Sequence, residues 1–357
     1  MRGPPPLSIR SDELRGFAAS AFVAAGLLPA DAGTMADTLV AADLRGANSH
    51  GVIRLPFLVD RLMKGGANRR PDIRVVSDAP ATALIDGDGA LGPITACRAM
   101  NVAMDKAQAQ GIAFVAARNS DFIGACAYYA MMGLAKNMIG IAWTNGFPGM
   151  APWGGRTNRI GNNPIAFAAP GGAHGDVVID MALSVVAGGR VRLAAKRNEK
   201  IPLDWVVDRE GNPTDDPADL PAGGALMALG YKGYGLAVFG EILCGVLTGS
   251  RILDEVTAWF VDTDRRTGNG HVHIAIDIAR FVDPSEFKRR VDAMSTNLKA
   301  TPLAKGAAEI LLPGERSARR HEAQEKDGVA VPRPVAADLA ALARKLGVTE
   351  PAAFHEE

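Results

Sequence analysis

The sequence predicts an α+β fold with a mixed-sheet domain over residues 76–283 and a helical domain built from both chain ends, 1–75 with 284–357. Three observations predict it. The chain has 357 residues, more than one minimal core needs at roughly 100–200 residues per domain. Both ends carry apolar residues at helical spacing. The middle breaks into short apolar runs bounded by Gly, Pro and Asn, as strands are.

The elements follow in order. Ser11 is placed to cap a helix whose first turn holds Asp12 and Glu13, favourable at the positive end of the helix dipole. Leu14, Phe17, Ala18 and Phe22 form its apolar stripe, and Pro29 breaks it. A second helix is expected from about Asp31 to Leu44, with Met35 and Leu39 inward. A third runs from about Val52 to Met63, placing Leu55, Leu58 and Leu62 on one face before Gly65-Gly66. Strands are expected at Ala81–Ile85, Ile112–Ala116, Ile139–Trp143, Ile165–Ala168, Val177–Ile179, Glu255–Val261 and His271–Ile276. A helix at about Thr95–Gln110 separates the first two, and the tail is helical again from Pro284, punctuated by Pro313-Gly314. The run from Tyr234 to Thr248 is too short to span a bilayer, which takes about 20 residues, and it carries Glu241; a buried core helix is expected.

Acidic and basic residues balance at 39 each, so no net field favours nucleic acid or a membrane surface as a partner. Cys97, Cys126 and Cys244 are scattered, which supports neither a disulfide framework nor a metal cluster. The N-terminus, MRGPPPLSIRSDELRG, has no apolar signal core, and a cytoplasmic location is expected.

Two motifs carry possible chemistry. Residues 87–92, Gly-Asp-Gly-Ala-Leu-Gly, spell a formal GxGxxG between a strand and a helix. Pro93 follows directly, and the next strand ends on Arg118 rather than on a ribose-binding acid, so the stretch is read as a structural turn. The second motif is Ser49-His50-Gly51 with Arg54 four residues beyond His50. A histidine exchanges protons near neutral pH, and an arginine grips a carboxylate in a bidentate fork. A helix-capping Ser-His beside a surface arginine would look the same.

The sequence resembles the type 2 malate/L-lactate dehydrogenase family over nearly its whole length. The resemblance rests on Ser49-His50-Gly51, Gly89-Ala-Leu-Gly-Pro93, Arg118-Asn-Ser120, Tyr128-Tyr129, Thr144-Asn145 and Met150-Ala-Pro-Trp-Gly-Gly155. It continues through Asn162-Asn-Pro-Ile-Ala-Phe-Ala168, Asp180-Met-Ala182, Ile201-Pro202, Lys232-Gly-Tyr-Gly235, Leu247-Thr-Gly249 and Leu312-Pro-Gly-Glu315. It implies a sheet domain that is not of Rossmann type, a homodimer, NAD or NADP as cofactor, and hydride transfer between a nicotinamide and a small 2-oxo acid or 2-hydroxy acid. His50 is then the proton donor and Arg54 the carboxylate holder. Ser49 is expected to bond the carbonyl or the cofactor amide. Asp180 either orients His50 or binds cofactor. Gly146, Asp180, Met181, Ala182, Lys232, Pro313, Gly314 and Glu315 are the implied cofactor contacts, and no metal is implied.

Departures bear on the substrate. Phe122 stands where most relatives carry a histidine, Leu183 where many carry Thr and Arg190 where many carry Lys, and the stretch 224–232 is short. Loss of the second histidine disfavours a ureidoglycolate-type substrate. Reduction of a cyclic imino acid, whose protonated C=N needs less acid catalysis, is the alternative reaction. A non-catalytic binding protein is the alternative of another class.

Overall fold

The computed structural model describes residues 5–355. The chain opens with β1 (Leu7–Ile9), α1 (Ser11–Ala24), α2 (Pro29–Leu44) and α3 (Leu55–Lys64). Leu14, Phe17, Met35, Leu39, Leu55, Leu58 and Leu62 are all buried, as their spacing requires. Ser11 is the first residue of α1 rather than its cap: Arg10 holds the capping position without a side-chain bond, and the Ser11 hydroxyl donates to Glu325. Pro29 opens α2, where its missing N–H costs nothing.

The central region supplies β2 (Arg74–Asp78), β3 (Thr82–Asp86), α4 (Gly92–Gln110), β4 (Ile112–Ser120), α5 (Cys126–Met131), β5 (Met138–Thr144), β6 (Ile165–Ala169) and β7 (Val177–Met181). After α6 (Gly188–Arg197) come three two-residue strands, β8 (Val206–Val207), β9 (Pro213–Thr214) and β10 (Ala225–Leu226), which pair among themselves. Then follow α7 (Gly230–Glu241) and β11 (Asn269–Asp277). The main sheet is seven-stranded and mixed, in the order β2-β3-β4-β11-β5-β6-β7, with only β3 and β4 parallel. β11 arrives late in the chain yet sits in the sheet centre, which ties the middle of the molecule into one unit.

The chain ends with α8 (Pro284–Lys299), α9 (Glu315–Asp327), β12 (Val329–Val331) and α10 (Arg333–Leu346). β12 pairs antiparallel with β1, and Leu339 and Ala343 of α10 share one apolar cluster with α1, α2 and α3. Gln324 of α9 donates to the last-turn carbonyls of α2, at Asp43 and Leu44, so the C-terminal segment caps an N-terminal helix. By contrast α8 docks on the turn between β6 and β7: the Asp292 carboxylate accepts from the N–H groups of Gly172, Ala173 and His174.

Two expectations need correction. Residues 255–261 form no strand; a 3₁₀ turn, Leu253–Glu255, leads into further turns. The carbonyls of Trp259, Asp262 and Arg265 accept from the Arg61 guanidinium instead of from a neighbouring strand. The run 234–248 is not a buried core helix. It is α7 followed by a π-helical segment, Ile242–Val246, and the run carries an exposed apolar face of Leu236, Phe239, Ile242, Val246 and Leu247. Glu241 faces inward, where its carboxylate accepts from Asn163, Asn145 and the N–H of Leu253. No helix among the described residues is long and apolar enough to cross a membrane.

Candidate active site

A cleft of about 680 Å³ runs between the N-terminal helices and the sheet. His50, Ser49 and Arg54 line it, but not as neighbours on one helix. His50 ends one 3₁₀ turn, Asn48–His50, and Arg54 ends the next, Val52–Arg54, with Gly51 extended between them. Buried Asp43 of α2 makes this local shape: its carboxylate accepts from the N–H of Val52 at 2.7 Å and from the Asn48 amide at 3.1 Å. A Cβ at position 51 would lie 2.0 Å from that carboxylate, so only glycine fits between the histidine and the second turn. Burial outweighs both hydrogen bonds and raises the Asp43 carboxyl to about 6.

The Ser49 hydroxyl meets His50 Nδ1 at 2.9 Å, and Arg54 Nε donates to the Ser49 carbonyl at 2.5 Å. Burial, with the nearby Arg54 charge adding to it, lowers His50 to about 4, so its imidazole is neutral in the free protein at neutral pH. Phe122, the residue in place of the expected histidine, stacks on His50 with ring centroids 5.9 Å apart. Trp259 stacks on Phe122 at 4.3 Å, and the Arg54 guanidinium lies 5.0 Å above Trp259. The aromatic at 122 thus serves as a platform for the histidine instead of a second proton carrier.

This stack is anchored from beneath. Arg61 is fully buried in α3 and pairs with buried Asp121 at 2.5 Å. It also donates to the carbonyls of Gly66, Trp259, Asp262 and Arg265, while Asp121 accepts from the N–H of Phe122. One ion pair therefore fixes the backbones that carry Phe122 and Trp259. Asp43 and Arg61 escaped the sequence reading. The available signal was a charged residue inside each apolar face, beside Leu39 and Val40 in α2 and between Leu58 and Leu62 in α3.

The rest of the cleft mixes glycines with side chains such as Tyr128, Phe147, Asn162 and Arg316. Gly124, Gly146 and Gly189 belong to it, and a Cβ added at Gly124 would meet nothing within 4 Å. Asp180 and Ala182 line it at the end of β7. The Asp180 carboxyl opens to the cleft yet is hemmed in by protein, which lifts it to about 6; it accepts from the N–H of Ala127 at 3.0 Å, with Arg45 nearby. No hydrogen bond joins Asp180 to His50 among the described residues. Gly314 also lines the cleft, and its Cβ would press within 3 Å of the Val178 backbone.

Four of the implied cofactor residues stand elsewhere. Met181 packs on a sheet core cluster. Lys232 is exposed on α7, 5.8 Å from the Tyr231 ring, outside the cleft. The Pro313 carbonyl accepts from Val178, and Glu315 pairs with Lys299 and Arg319 and accepts from the N–H of Leu312. That set of bonds holds the Glu315 carboxyl at about 2. The turn 87–92 is likewise absent from the lining: the guanidinium of Arg266 fills the space at Gly89, the backbone of Asp121 and Phe122 presses on Gly92, and Arg118 is paired with Asp86.

Comparison with known proteins agrees with this geometry. The model of the malate/L-lactate dehydrogenase family matches residues 9–340. The chain belongs to that family. Malate dehydrogenase of Pyrococcus horikoshii is 37% identical over 351 residues, covering 96% of both chains. Ureidoglycolate dehydrogenase (NAD(+)) of Escherichia coli K12 is 36% identical over 291 residues, 82% of this chain and 83% of that one. The solved structure of sulfolactate dehydrogenase from Methanocaldococcus jannaschii superposes with a TM-score of 0.90 at 35% identity, covering 96% of this chain and 98% of that one. The protein is thus a 2-hydroxy acid dehydrogenase, an oxidoreductase that works with a nicotinamide cofactor.

Proposed function

We propose that the cleft at His50 is where the protein interconverts a small 2-oxo acid and its 2-hydroxy acid, with NAD or NADP as partner. The observation that carries this reading is the joint placement of neutral His50 and Arg54 on one cleft wall, linked through Ser49. When bound, the nicotinamide supplies the hydride exchange at C2 of the substrate. In the oxidising direction the neutral imidazole of His50 takes the hydroxyl proton. Arg54 holds the substrate carboxylate, and Ser49 fixes the ring of His50. In the reducing direction His50 must first gain a proton. A carboxylate on Arg54 offsets the positive charge that depresses the histidine, so substrate and proton bind together.

The lining fits a dinucleotide in kind. Gly124, Gly146 and Gly189 leave Cβ space open, Arg45 lies near the Asp180 carboxyl, and Arg316 adds a further positive charge to the lining. Gly146, Asp180, Ala182 and Gly314 would hold the cofactor directly. Met181, Pro313 and Glu315 would support it by fixing the strand and turn beside them. The division into a helical domain and a sheet domain of non-Rossmann type is part of the same reading, supported by the shared core of the two chain ends and the nearly antiparallel sheet.

The exposed apolar face of α7 is proposed to be covered by a second copy of the chain. Lys232 stands on the same helix, and its cofactor contact would then reach the partner's cleft. Light scattering should give a mass near twice the 37.3 kDa chain; an active monomer would refute the dimer. The activity is tested by following NADH and NADPH oxidation with a panel of 2-oxo acids and cyclic imines. Turnover confined to cyclic imines, or none at all, would overturn the reading.

A further inference from the structure

The carboxylate and the reacting carbonyl of a 2-oxo acid are bonded neighbours. The group that grips one and the group that moves a proton at the other must therefore be held in register, because a misplacement of about 1 Å can cost a hundredfold in rate. Here the two side chains leave separate 3₁₀ turns, with extended Gly51 between them. One hydrogen bond joins the Arg54 side chain to this block, from Nε to the Ser49 carbonyl, and no carboxylate pairs with it among the described residues. A long cation held that lightly swings toward water and loses its plane.

Trp259 is what Arg54 meets instead. The guanidinium lies 5.0 Å from the indole, and Phe122 stacks on the same indole with the planes 15° apart. Phe122 in turn stacks on His50. The rings of Phe57 and Phe260 stand nearly perpendicular to the indole, and Trp259 is buried, so it has little room to turn. The segment that delivers it is pinned on both sides. Ahead of the indole, Leu253 carries a left-handed φ of 49°, a strained conformation for a leucine that persists only where the surroundings impose it. Its N–H donates to buried Glu241, and the Ile252 N–H donates to Glu255. From the indole onward, the carbonyls of Trp259, Asp262 and Arg265 accept from Arg61. A turn that only joined two elements would need neither device.

We infer that Trp259 is a positioning residue for both reactive side chains: its indole seats the Arg54 guanidinium and, through Phe122, the His50 ring. It thereby sets the spacing between the carboxylate grip and the proton carrier. This rests on the proposed site at His50 and adds to it the part that keeps the two groups in register.

The test measures kcat and KM for pyruvate and oxaloacetate, with NADH and NADPH, in the wild-type protein, Trp259→Phe and Trp259→Leu. A cation–π contact contributes about two- to thirtyfold, so Trp259→Leu should raise KM for the acids by about that factor. It should also lower kcat by up to about a hundredfold as the His50 ring loses its register, while cofactor KM stays within about twofold. Trp259→Phe keeps a ring for the guanidinium and should recover most of both losses. A merely structural role leaves fewer folded molecules, each with its ordinary KM. A lowered kcat with KM for the acids unchanged would therefore overturn the inference. So would a raised cofactor KM with KM for the acids unchanged, which would assign the indole to the nicotinamide. If the wild-type protein turns over neither acid, the reading of the cleft fails, and this inference with it.

Discussion

The two parts of the cleft lining are built in opposite ways. Around His50 every backbone segment is fastened by a buried charge: Asp43 shapes the Ser49–Arg54 turns, and the Arg61–Asp121 pair fixes the segments of Phe122 and Trp259. Around Gly124, Gly146 and Gly189 an added Cβ would meet no heavy atom closer than 3.8 Å, so the lining there keeps open space beside the backbone. Proton transfer depends on angle and distance, and a group misplaced by about 1 Å can cost a hundredfold in rate. Holding a large flexible cofactor depends more on open surface and available charge. The contrast separates a rigid acid–base wall from a permissive binding wall.

The largest effect that would break this contrast is at His50. His50→Ala should lower kcat by about a hundredfold to ten-thousandfold while cofactor affinity stays within a few-fold, read by steady-state kinetics and NADH titration. Retention of half the wild-type rate would remove His50 from the reaction. Next is Arg61→Leu, which leaves Asp121 buried and unpaired. It should destabilise the fold by about 3–5 kcal/mol, seen as a lowered urea midpoint. An unaltered midpoint would show that the stack stands without its ion pair.

The pH dependence sharpens the comparison further. His50 is depressed to about 4, so kcat/KM for oxidation should hold level from neutral pH down to about 5 and drop as the pH passes about 4 and the ring gains a proton. Arg54→Gln removes the like charge and should move the His50 inflection upward, measured by NMR titration of the ring. A downward move would contradict the assigned cause. The smallest contrast is between Asp88 and Lys232: Asp88→Asn should change cofactor KM by less than about twofold, whereas Lys232→Ala should raise it clearly. The reverse ranking would revive the glycine turn as a cofactor site.

Much of this was legible in the sequence because it is local. Helical spacing located Leu55, Leu58 and Leu62 on the buried side of α3, and the apolar runs marked β3 to β7 and β11. The Ser49-His50-Arg54 block was visible as residue chemistry. What stayed hidden depends on distant partners. The apolar run 255–261 reads as a strand, and only Arg61, nearly two hundred positions earlier, shows why its carbonyls are engaged elsewhere. Phe122 reads as a lost catalytic group until Trp259 and His50 are seen on its two faces.

The fit of Gly51 against Asp43 has a consequence for how this sequence can change over time. The carboxylate occupies the space a side chain at 51 would need, and it also supplies the acceptor that folds the turn after His50. Neither position can drift alone. A side chain at 51 collides with Asp43, and a shorter residue at 43 leaves the Val52 N–H without its acceptor. Among descendants of this chain, Asp43 and Gly51 should be kept together or replaced together, and a lineage that has lost both should have lost the His50 geometry as well.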